Sequence, residues 1–346
     1  MSGWRAPAFW QTGGWPARLL APLGRLYGTV TLARMRRPAG YRPPVPVVAI
    51  GNLVLGGAGK TPSAILVARL LEADGRRPVV VSRGYGGRLA GPLRVDPQLH
   101  GAGDVGDEPL MMARRGLAVM VSRDRAAGVR AAVAAGADVV VLDDGFQSPA
   151  VAKDLSILVV DAEAPVGNGL VFPAGPLRAP VGPQLAAAHL VLAIGEGELP
   201  DLLRAVGRPV LAGRLAARES TRFAGRRLLG YAGIGRPAKV AATLRACGAD
   251  LAGFEAFPDH HVFSEADARR LLHAAGRAGA GLVTTEKDAA RLGGRATGPL
   301  ADLAKASDVL AVDLVVADPG ALSAALGRLF GEPPAGGLSP RNPGGA

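Results

Sequence analysis

A glycine-rich segment near the amino end of the chain carries the residue types that bind phosphate. Residues 51–62 read GNLVLGGAGKTP and connect the apolar run VVAI to a stretch with helical periodicity. In such a loop, glycine N–H groups surround a phosphate, a lysine reaches the β- and γ-phosphate oxygens, and a hydroxyl holds Mg²⁺. The segment therefore predicts a nucleoside triphosphate site. Its expected members are Gly56, Gly57, Gly59, Lys60 and Thr61.

One departure from the usual pattern leaves a structural alternative open for this loop. The strict Walker pattern requires glycine at position 54, where this chain has Val54. The compact form GGxGKT is retained and resembles the loop of the partitioning ATPases, although their additional lysine is Leu55 here. The alternative is a tight glycine turn whose lysine is merely solvated.

Two adjacent carboxylates follow another apolar run. The segment ADVVVLDDGFQ places Asp143 and Asp144 directly after residues that read as a buried strand. Such a strand directs both side chains to the carboxyl edge of a parallel sheet, where ligands bind in this class of fold. A solvated turn at the strand end is the alternative. Because a phosphate loop needs a further carboxylate to organise its metal ion, we expect Thr61, Asp143 and Asp144 to hold Mg²⁺.

Other segments are unusually polar for their surroundings. Asp107 and Glu108 could cap a helix, and the run Asp259, His260 and His261 could form a surface turn. A metal site at the histidines is the least favoured reading, because adjacent histidines rarely point at one ion and no third ligand is evident. The segments are SRGYGG (82–87), VGDEP (105–109) and FPDHHVF (257–263).

The order of apolar runs predicts the fold class. From about residue 45, short β-branched runs alternate with helical stretches, which is typical of a parallel sheet covered by helices on both faces. With the phosphate loop, this predicts an α/β, P-loop NTPase-like fold. A second, smaller α/β domain is expected to run from YAGIG to VLAVDLVV. The expected boundaries are an arm at 1–40, a nucleotide-binding core at 41–205, a hairpin linker at 206–229, the second domain at 230–330 and a disordered tail at 331–346.

The amino-terminal arm is basic and apolar. The net charge is +11, and no Asp or Glu occurs before Glu72. An apolar stripe, aromatic residues and arginines together favour a helix that lies in a membrane surface. Packing against the protein's own core and a basic nucleic-acid arm are the alternatives, but recognisable nucleic-acid modules are missing and no nucleic-acid partner is expected. The residues concerned are Trp4, Trp10, Trp15, Leu19, Leu20, Leu23, Leu26, Tyr27 and Val30, with Arg5, Arg18, Arg25, Arg34, Arg36, Arg37 and Arg42.

Several classes of protein do not fit the composition. Arginines recur too often in the arm for a bilayer-spanning segment, which needs about 20 apolar residues in a row. A signal peptide is a poor match, since no compact apolar run ends in a small-residue cleavage site. The single cysteine, Cys247, excludes an intrachain disulfide and a cysteine-based zinc finger, which is typical of a cytosolic chain.

The motifs, taken in order, resemble those of the tetraacyldisaccharide 4′-kinases, the lipid A disaccharide kinases of Gram-negative bacteria. The resemblance runs from the arm to about residue 318, and it is specific because separate motifs agree in order and spacing. They are GNxxxGGxGKTP, SRGYGG, GDEP, VSxxR, DDGFQ, PAGPLR, FPDHHxF and TTEKD. The resemblance implies ATP and Mg²⁺ as cofactors and an acylated glucosamine disaccharide 1-phosphate as the acceptor. It also implies work at the cytoplasmic face of the inner membrane, which suits the arm.

Residue roles follow from the same resemblance. Asp107 of GDEP matches the catalytic aspartate of the family, and His260 matches the histidine that acts with it. Arg125 aligns with an arginine near the transferring phosphate, with Arg123 as a less favoured candidate. Lys60 keeps its phosphate-binding role in the transfer. The substrate-contacting positions are then Tyr85, Gln147 and Arg178.

Other functions stay open from the sequence. A P-loop switch ATPase or GTPase acting at the membrane would leave GDEP and FPDHH unexplained. A soluble sugar or nucleoside kinase would not need tryptophans and arginines concentrated in an arm. Residues 285–288 could touch the nucleotide base or could form a capped helix start.

Overall fold

Two β-sheets of unequal size organise the chain in the computed structural model, which describes residues 6–57, 59–205, 207–294 and 297–331. The strands of the large sheet are β1 Val47–Asn52, β2 Pro78–Ser82, β3 Leu93–Arg94, β4 Val119–Val121, β5 Val139–Leu142, β6 Leu155–Asp161, β7 Leu190–Ile194, β8 Val210–Ala217 and, numbered last in the chain, β13 Val312–Val316. The strands of the small sheet are β9 Arg227–Ala232, β10 Asp250–Ala256, β11 Gly281–Thr285 and β12 Ser307–Leu310.

Helices connect most of these strands. Those before and within the large sheet are α1 Phe9–Thr12, α2 Trp15–Met35, α3 Lys60–Ala73, α4 Ala102–Val105, α5 Asp107–Arg114, α6 Arg125–Ala134, α7 Val181–Ala187 and α8 Asp201–Arg204. Those that follow are α9 Pro237–Ala246, α10 Glu265–Ala278, α11 Glu286–Leu292, α12 Pro299–Ala306 and α13 Pro319–Gly327.

The large sheet is parallel except at its edges. Among the described residues its strand order is β13-β8-β7-β6-β1-β5-β2-β4-β3, and only the pairs β13–β8 and β3–β4 are antiparallel. Strand β1 lies in the middle and is buried along its whole length. Val48 and Ile50 pack on the α3 side, whereas Val47 and Ala49 pack on the α6 side. This confirms the predicted α/β sheet with helices on both faces.

The predicted hairpin linker at 206–229 is wrong. Strand β8 pairs with β7 and β13 in the large sheet, whereas β9 pairs with β10 and β11 in the small sheet. A 3₁₀ turn at Ser220–Phe223 lies between them. The mixed polarity of the segment arises because β8 is buried only at alternate positions near its start, as expected for a strand near a sheet edge.

The carboxyl-terminal boundary of the second unit also needs correction. The apolar run VLAVDLVV forms two strands, of which β12 joins the small sheet and β13 returns to the large one. Leu314 of β13 and Leu322 of α13 are buried in the same core as Val48. An apolar run indicates burial but does not identify the sheet that buries it. Apart from Gly331, the predicted tail at 331–346 lies outside the described residues.

The arm uses two different faces. Trp10 is 2% exposed, and its indole Nε1 donates to the carbonyl of Pro173 at 3.0 Å. Small residues of α2, Ala17, Gly24 and Gly28, are buried against the body of the protein. Packing on the protein's own core is therefore observed for this face. The other face exposes the large apolar residues Trp15, Leu19, Leu23, Leu26, Tyr27 and Val30, each between 42% and 75% accessible.

No described helix combines the length and the apolar character that crossing a bilayer would require. Residues 1–5, including the predicted interfacial Trp4, lie outside the described residues.

Candidate active site

The glycine loop joins the central strand β1 to α3. Gly59 caps the helix with φ of 88°, and Gly56 has φ of 114°, both in the region that favours glycine. A Cβ on Gly59 would lie 2.5 Å from Cδ1 of Ile194, so a larger residue would also clash there. The helix then begins at Lys60, and the buried Thr61 follows in its first turn. The loop therefore has the strand–loop–helix geometry that the sequence predicted.

The Lys60 ammonium lies over the loop. Its Nζ donates to the side-chain oxygen of Asn52 and to the carbonyl of Gly56, both at 3.2 Å, and lies 3.9 Å from Oδ1 of Asp144. Burial lowers the pKa of Lys60, and the Asp144 carboxylate opposes that change. Asn52, which orients the lysine, was not predicted. A polar residue that ends an otherwise apolar strand was the available signal.

The aspartate pair lies at the end of β5, beside the loop. Oδ2 of Asp143 accepts a hydrogen bond from the Ser82 hydroxyl at 3.3 Å. Burial, with the neighbouring charges of Glu108 and Asp144, raises the pKa of Asp143 to about 7. Burial also acts on Asp144, but Lys60 and Arg178 outweigh it and hold the pKa of that carboxyl below its ordinary value.

These carboxylates fit a magnesium ion. Oδ1 of Asp143 and Oδ1 of Asp144 are both buried without a hydrogen-bond partner, which is costly unless a cation takes them up. The described residues contain no cluster of three or more His, Cys, Asp or Glu side chains that could hold a metal by itself. Mg²⁺ usually takes only one or two carboxylates and completes its shell with water and substrate phosphates. Asp143, Asp144 and Thr61 would thus hold the ion together with a nucleotide.

Two arginines lie against Asp144. The guanidinium of Arg125 donates to its backbone carbonyl, and Nη2 of Arg178 lies 3.3 Å from its Oδ2. Nε of Arg178 also donates to the carbonyl of Val54 at 3.2 Å, which ties it to the glycine loop. Arg123 is exposed, and its side chain contacts only the carbonyls of Gly87 and Arg88 among the described residues, at 3.4 and 3.5 Å. The structure therefore brings Arg125 and Arg178, not Arg123, to Asp144 of the aspartate pair.

The other predicted substrate contacts differ in their surroundings. The Tyr85 ring is 76% exposed and lies 5.4 Å from the imidazole of His260, centre to centre. Gln147 is partly buried, and its Nε2 donates to the Asn52 carbonyl at 2.8 Å and to Oε1 of Gln184 at 3.0 Å. Tyr85 thus borders the site with a solvent-exposed ring, whereas the Gln147 amide nitrogen already donates to a carbonyl at the end of β1. Substrate contact remains a prediction for both.

A carboxylate from one unit and an imidazole from the other meet where the two units contact each other. Asp107 is buried in the first turn of α5, and Nδ1 of His260 lies 3.2 Å from its Oδ2. His260 has φ of 57°, a left-handed conformation that is uncommon outside glycine and marks a constrained position. The structure therefore brings together two residues that lie 153 positions apart in the sequence and that the family resemblance had paired.

Their charges stabilise one another. Burial raises the pKa of Asp107, but the hydrogen bond with His260 and the charges of Arg291 and Lys287 outweigh it and hold the pKa well below its ordinary value. The hydrogen bond with Asp107 raises the pKa of His260, and burial opposes that rise. The pair therefore favours a carboxylate and an imidazolium.

Helix α11, which begins within the TTEKD motif, supplies further contacts that the sequence did not predict. Arg291 pairs with Asp107, Lys287 with Glu108, and Glu286 with Arg115, so the helix binds α5 across the two units. The available signal was the i, i+4 spacing of Lys287 and Arg291 on one face of a helix.

The start of α11 follows one of the two alternatives for residues 285–288. The Thr285 hydroxyl accepts a hydrogen bond from the backbone N–H of Asp288, which is a capped helix start. Contact of this segment with a nucleotide base remains a prediction.

A parallel sheet with a phosphate loop after its central strand, carboxylates at the next strand end and a facing carboxylate–imidazole pair defines a P-loop phosphotransferase. The model of the tetraacyldisaccharide-1-P 4′-kinase family matches residues 16–330. The chain therefore belongs to that family.

Individual relatives agree with this assignment. The chain is 50% identical to a tetraacyldisaccharide 4′-kinase of Nitrobacter winogradskyi over 92% of its own length and 95% of that protein. It is 53% identical to one from Methylobacterium sp. strain 4-46, over 83% and 89% of the two chains. A crystal structure of LpxK from Aquifex aeolicus in complex with ATP has a TM-score of 0.70 and 23% identity, covering 91% of this chain and all of that one. At that identity, the likeness supports the shared fold.

Proposed function

We propose that this chain transfers the γ-phosphoryl group of ATP to the 4′-hydroxyl of a tetraacyl disaccharide 1-phosphate. The observation that carries the proposal is the contact between the buried carboxylate of Asp107, from one unit, and the more exposed imidazole of His260, from the other. Glu108, the neighbour of Asp107, lies close enough for its charge to act on the pKa of Lys60 in the phosphate loop. A switch ATPase or GTPase acts on water and does not require a second unit to supply an imidazole for a carboxylate. Transfer to an alcohol requires a group that removes the hydroxyl proton.

The chemistry follows from these positions. The acceptor oxygen forms a bond to the γ-phosphorus, the bond from phosphorus to the bridging oxygen breaks, and its electron pair leaves with ADP. The hydroxyl proton goes to the Asp107 carboxylate, which His260 orients through their hydrogen bond. Lys60, Arg125 and Arg178 supply positive charge near the phosphates. Mg²⁺ bound with Thr61, Asp143 and Asp144 would neutralise β- and γ-phosphate oxygens.

Transfer of labelled phosphate tests the reaction directly. With γ-labelled ATP and an acylated glucosamine disaccharide 1-phosphate in detergent micelles, the wild-type chain should label the lipid and Lys60→Ala should not. Asp107→Ala should lower kcat by roughly 10²-fold or more, as loss of a general base does. Asp250→Ala is the matched control, because Asp250 is an exposed carboxylate at the first position of β10 that pairs with Arg227 and is not a predicted site residue. ATP hydrolysis without labelled lipid would favour the switch function instead.

We also propose that the exposed face of α2 binds the cytoplasmic surface of the inner membrane. Large apolar side chains stand there beside the exposed arginines Arg18, Arg25 and Arg34, a pattern that suits an anionic membrane surface. An acceptor with fatty acyl chains stays in a bilayer, so the enzyme must approach it there.

Vesicle binding tests this membrane proposal. Leu19→Glu with Leu23→Glu should reduce sedimentation with vesicles of anionic phospholipid by about tenfold or more, since each change replaces an apolar contact by a charge. Leu99→Glu is the matched control, because Leu99 is 77% exposed and lies outside the arm. Equal sedimentation of all three proteins would refute the α2 surface as the binding face.

A further inference from the structure

We propose that Arg291 is a positioning residue of phosphoryl transfer, which fixes the Asp107 carboxylate so that its Oδ1 receives the acceptor hydroxyl. The inference rests on the proposed function, in which Asp107 takes the hydroxyl proton. Neither the sequence motifs nor the family resemblance assigned a role to this arginine.

The guanidinium of Arg291 joins several elements. Its Nε donates to Oδ2 of Asp107 at 2.8 Å, and its Nη2 contacts the same oxygen. Its Nη1 donates to the Gly233 carbonyl at 2.6 Å and to Oδ1 of Asp288 at 2.7 Å. The side chain is only 9% exposed. A planar guanidinium held at all these points fixes the orientation of a carboxylate, which a single ammonium cannot do.

The two oxygens of Asp107 have different partners. Oδ2 receives Arg291 and also lies 3.2 Å from Nδ1 of His260. Oδ1 accepts a hydrogen bond from the backbone N–H of Glu108 at 2.9 Å. Within the described residues, Oδ1 accepts no other hydrogen bond. A carboxylate oxygen has two lone-pair sites. One lone-pair site on Oδ1 is therefore left for the acceptor hydroxyl. Because Arg291 and His260 occupy Oδ2, they determine that Oδ1 is the oxygen that faces the hydroxyl.

Docking of the two units does not depend on Arg291 alone. Lys287 pairs with Glu108, and Arg115 pairs with Glu286 and also donates to Asp313 at 2.6 Å. The Lys287–Glu108 and Glu286–Arg115 pairs hold α11 on α5 and on the residue that follows it, without touching Asp107. Arg115 is thus a matched control, being an arginine with 7% side-chain exposure that bridges the same interface.

Arg291 also affects the charge of Asp107. Loss of its guanidinium removes a cation from beside the carboxylate, so the pKa of Asp107 should rise and the acid limb of kcat/KM should move to higher pH. The other charged or titratable groups that act on Asp107 are Lys287 and Asp288 of α11, His260 of the loop after β10, and Glu108 of its own helix. Asp259, beside His260, acts on His260 and Lys287. These stay in place in an Arg291 variant.

The experiment measures lipid phosphorylation by the full-length chain and its variants in detergent micelles between pH 3 and 9, a range that extends below the ordinary pKa of an aspartate. We expect Arg291→Gln to lower kcat by about 10²-fold, within the range that general-base catalysis contributes, with the KM for ATP changed less than about threefold. Its acid limb should move upward, and guanidinium ion at millimolar concentration should restore part of kcat. Arg291→Lys should keep the wild-type acid limb, because lysine retains the positive charge. Its kcat should lie between those of Arg291→Gln and the wild type, because an ammonium lacks the planar set of N–H donors that orients a carboxylate.

The control separates positioning from docking. Arg115→Gln should leave the acid limb unchanged and should not respond to guanidinium ion. The proposal is overturned if Arg291→Gln keeps wild-type kcat, or if both variants lose kcat equally without a shift of the acid limb. If the wild-type chain itself labels no lipid, the proposed function fails, and the role of Arg291 fails with it. Lipid labelling by the wild type together with unchanged Arg291→Gln kinetics removes the Arg291 role alone.

Discussion

At the scale of single residues, the site depends on charges that the two units share. Asp107 is held as a carboxylate in a buried position because His260, Arg291 and Lys287 surround it. A buried carboxylate without these neighbours would be protonated more easily and would bind the imidazole less strongly. The pKa of His260 therefore reports whether a charged Asp107 lies beside it.

Asp107→Asn should lower the pKa of His260. The hydrogen bond to the Asp107 carboxylate raises that pKa in the folded chain, and burial lowers it, so loss of the carboxylate leaves burial as the stronger influence. Nuclear magnetic resonance of labelled histidine side chains across pH 5–9 measures the change. Asp250→Asn should leave the titration of His260 where it is in the wild type. An unchanged His260 titration in Asp107→Asn would contradict the pairing.

The same shift has a definite sign for stability. Because the folded pKa of His260 is raised, its pairing contributes stability that is complete below the unfolded value of about 6.5. That contribution is lost as pH rises through the folded pKa. Denaturant unfolding should therefore show the His260-linked part of the difference between wild type and Asp107→Asn shrinking from pH 6 to pH 9.

Residues of the site differ in how far their sequence predicts them. Lys60, Thr61 and Asp143 follow from local patterns, because a loop after a strand or a carboxylate at a strand end fixes their direction. The pairing of Asp107 with His260 came from resemblance to a family, since nothing local joins them. Arg291 was missed because its partner lies in the other unit, and one sequence without coordinates does not indicate which helices meet.

At the scale of elements, burial explains both the successes and the failures. The strands β1, β5 and β6 were predicted because they are apolar on both faces. Strand β10 is only partly buried and has no such signal, and β3 has just two residues. For α2, the large apolar residues suggested a stripe, but its packed face is made of small residues. Small residues carry little hydrophobic signal and were therefore not recognised as the buried side.

Gly24→Ala should destabilise the protein, although alanine favours helices. A Cβ on Gly24 would lie 2.6 Å from the carbonyl oxygen of Val171, a backbone atom that cannot easily move away. The clash should outweigh the gain of about 1 kcal/mol in helix propensity. Gly276→Ala is the matched control, because Gly276 lies within α10 with nothing within 4 Å of its Cβ position.

The two substitutions should change the free energy of unfolding in opposite directions. Gly276→Ala should raise it by up to about 1 kcal/mol, and Gly24→Ala should lower it. Urea unfolding followed by circular dichroism gives both values. A stabilising effect of Gly24→Ala would mean that α2 does not pack on Val171 as described.

At the scale of the whole molecule, the two units are joined by two crossings of the chain. The first passes from β8 to β9, and the second passes from β12 back to β13. Since β8 and β13 pair antiparallel, both crossings leave from one two-stranded edge of the large sheet. The Asp107–His260 contact therefore forms between units that share a common edge, which restricts how they can approach each other.

The return of the chain predicts a specific effect of truncation. A chain that ends at residue 311 lacks β13 and α13, whereas one that ends at residue 331 keeps every described element. Removal of Leu314, Val316 and Leu322 from the core of the large sheet should cost more than about 4 kcal/mol, since each buried leucine contributes about 2–5 kcal/mol. It would also leave β8 as an open edge.

Tryptophan fluorescence can assign this loss to the correct unit. All three tryptophans precede residue 16. Trp10 is buried against the large-sheet unit, whereas Trp15 is 75% exposed, so the change in emission as Trp10 becomes accessible reports on that unit. In urea, the tryptophan transition of the chain ending at 311 should shift to lower denaturant than that of the chain ending at 331. Had β13 and α13 belonged to the second unit, as the sequence predicted, the two tryptophan transitions would coincide. Coincident tryptophan transitions would thus overturn the corrected boundary, and a shift of the tryptophan transition to lower urea concentration in the chain ending at 311 would support it.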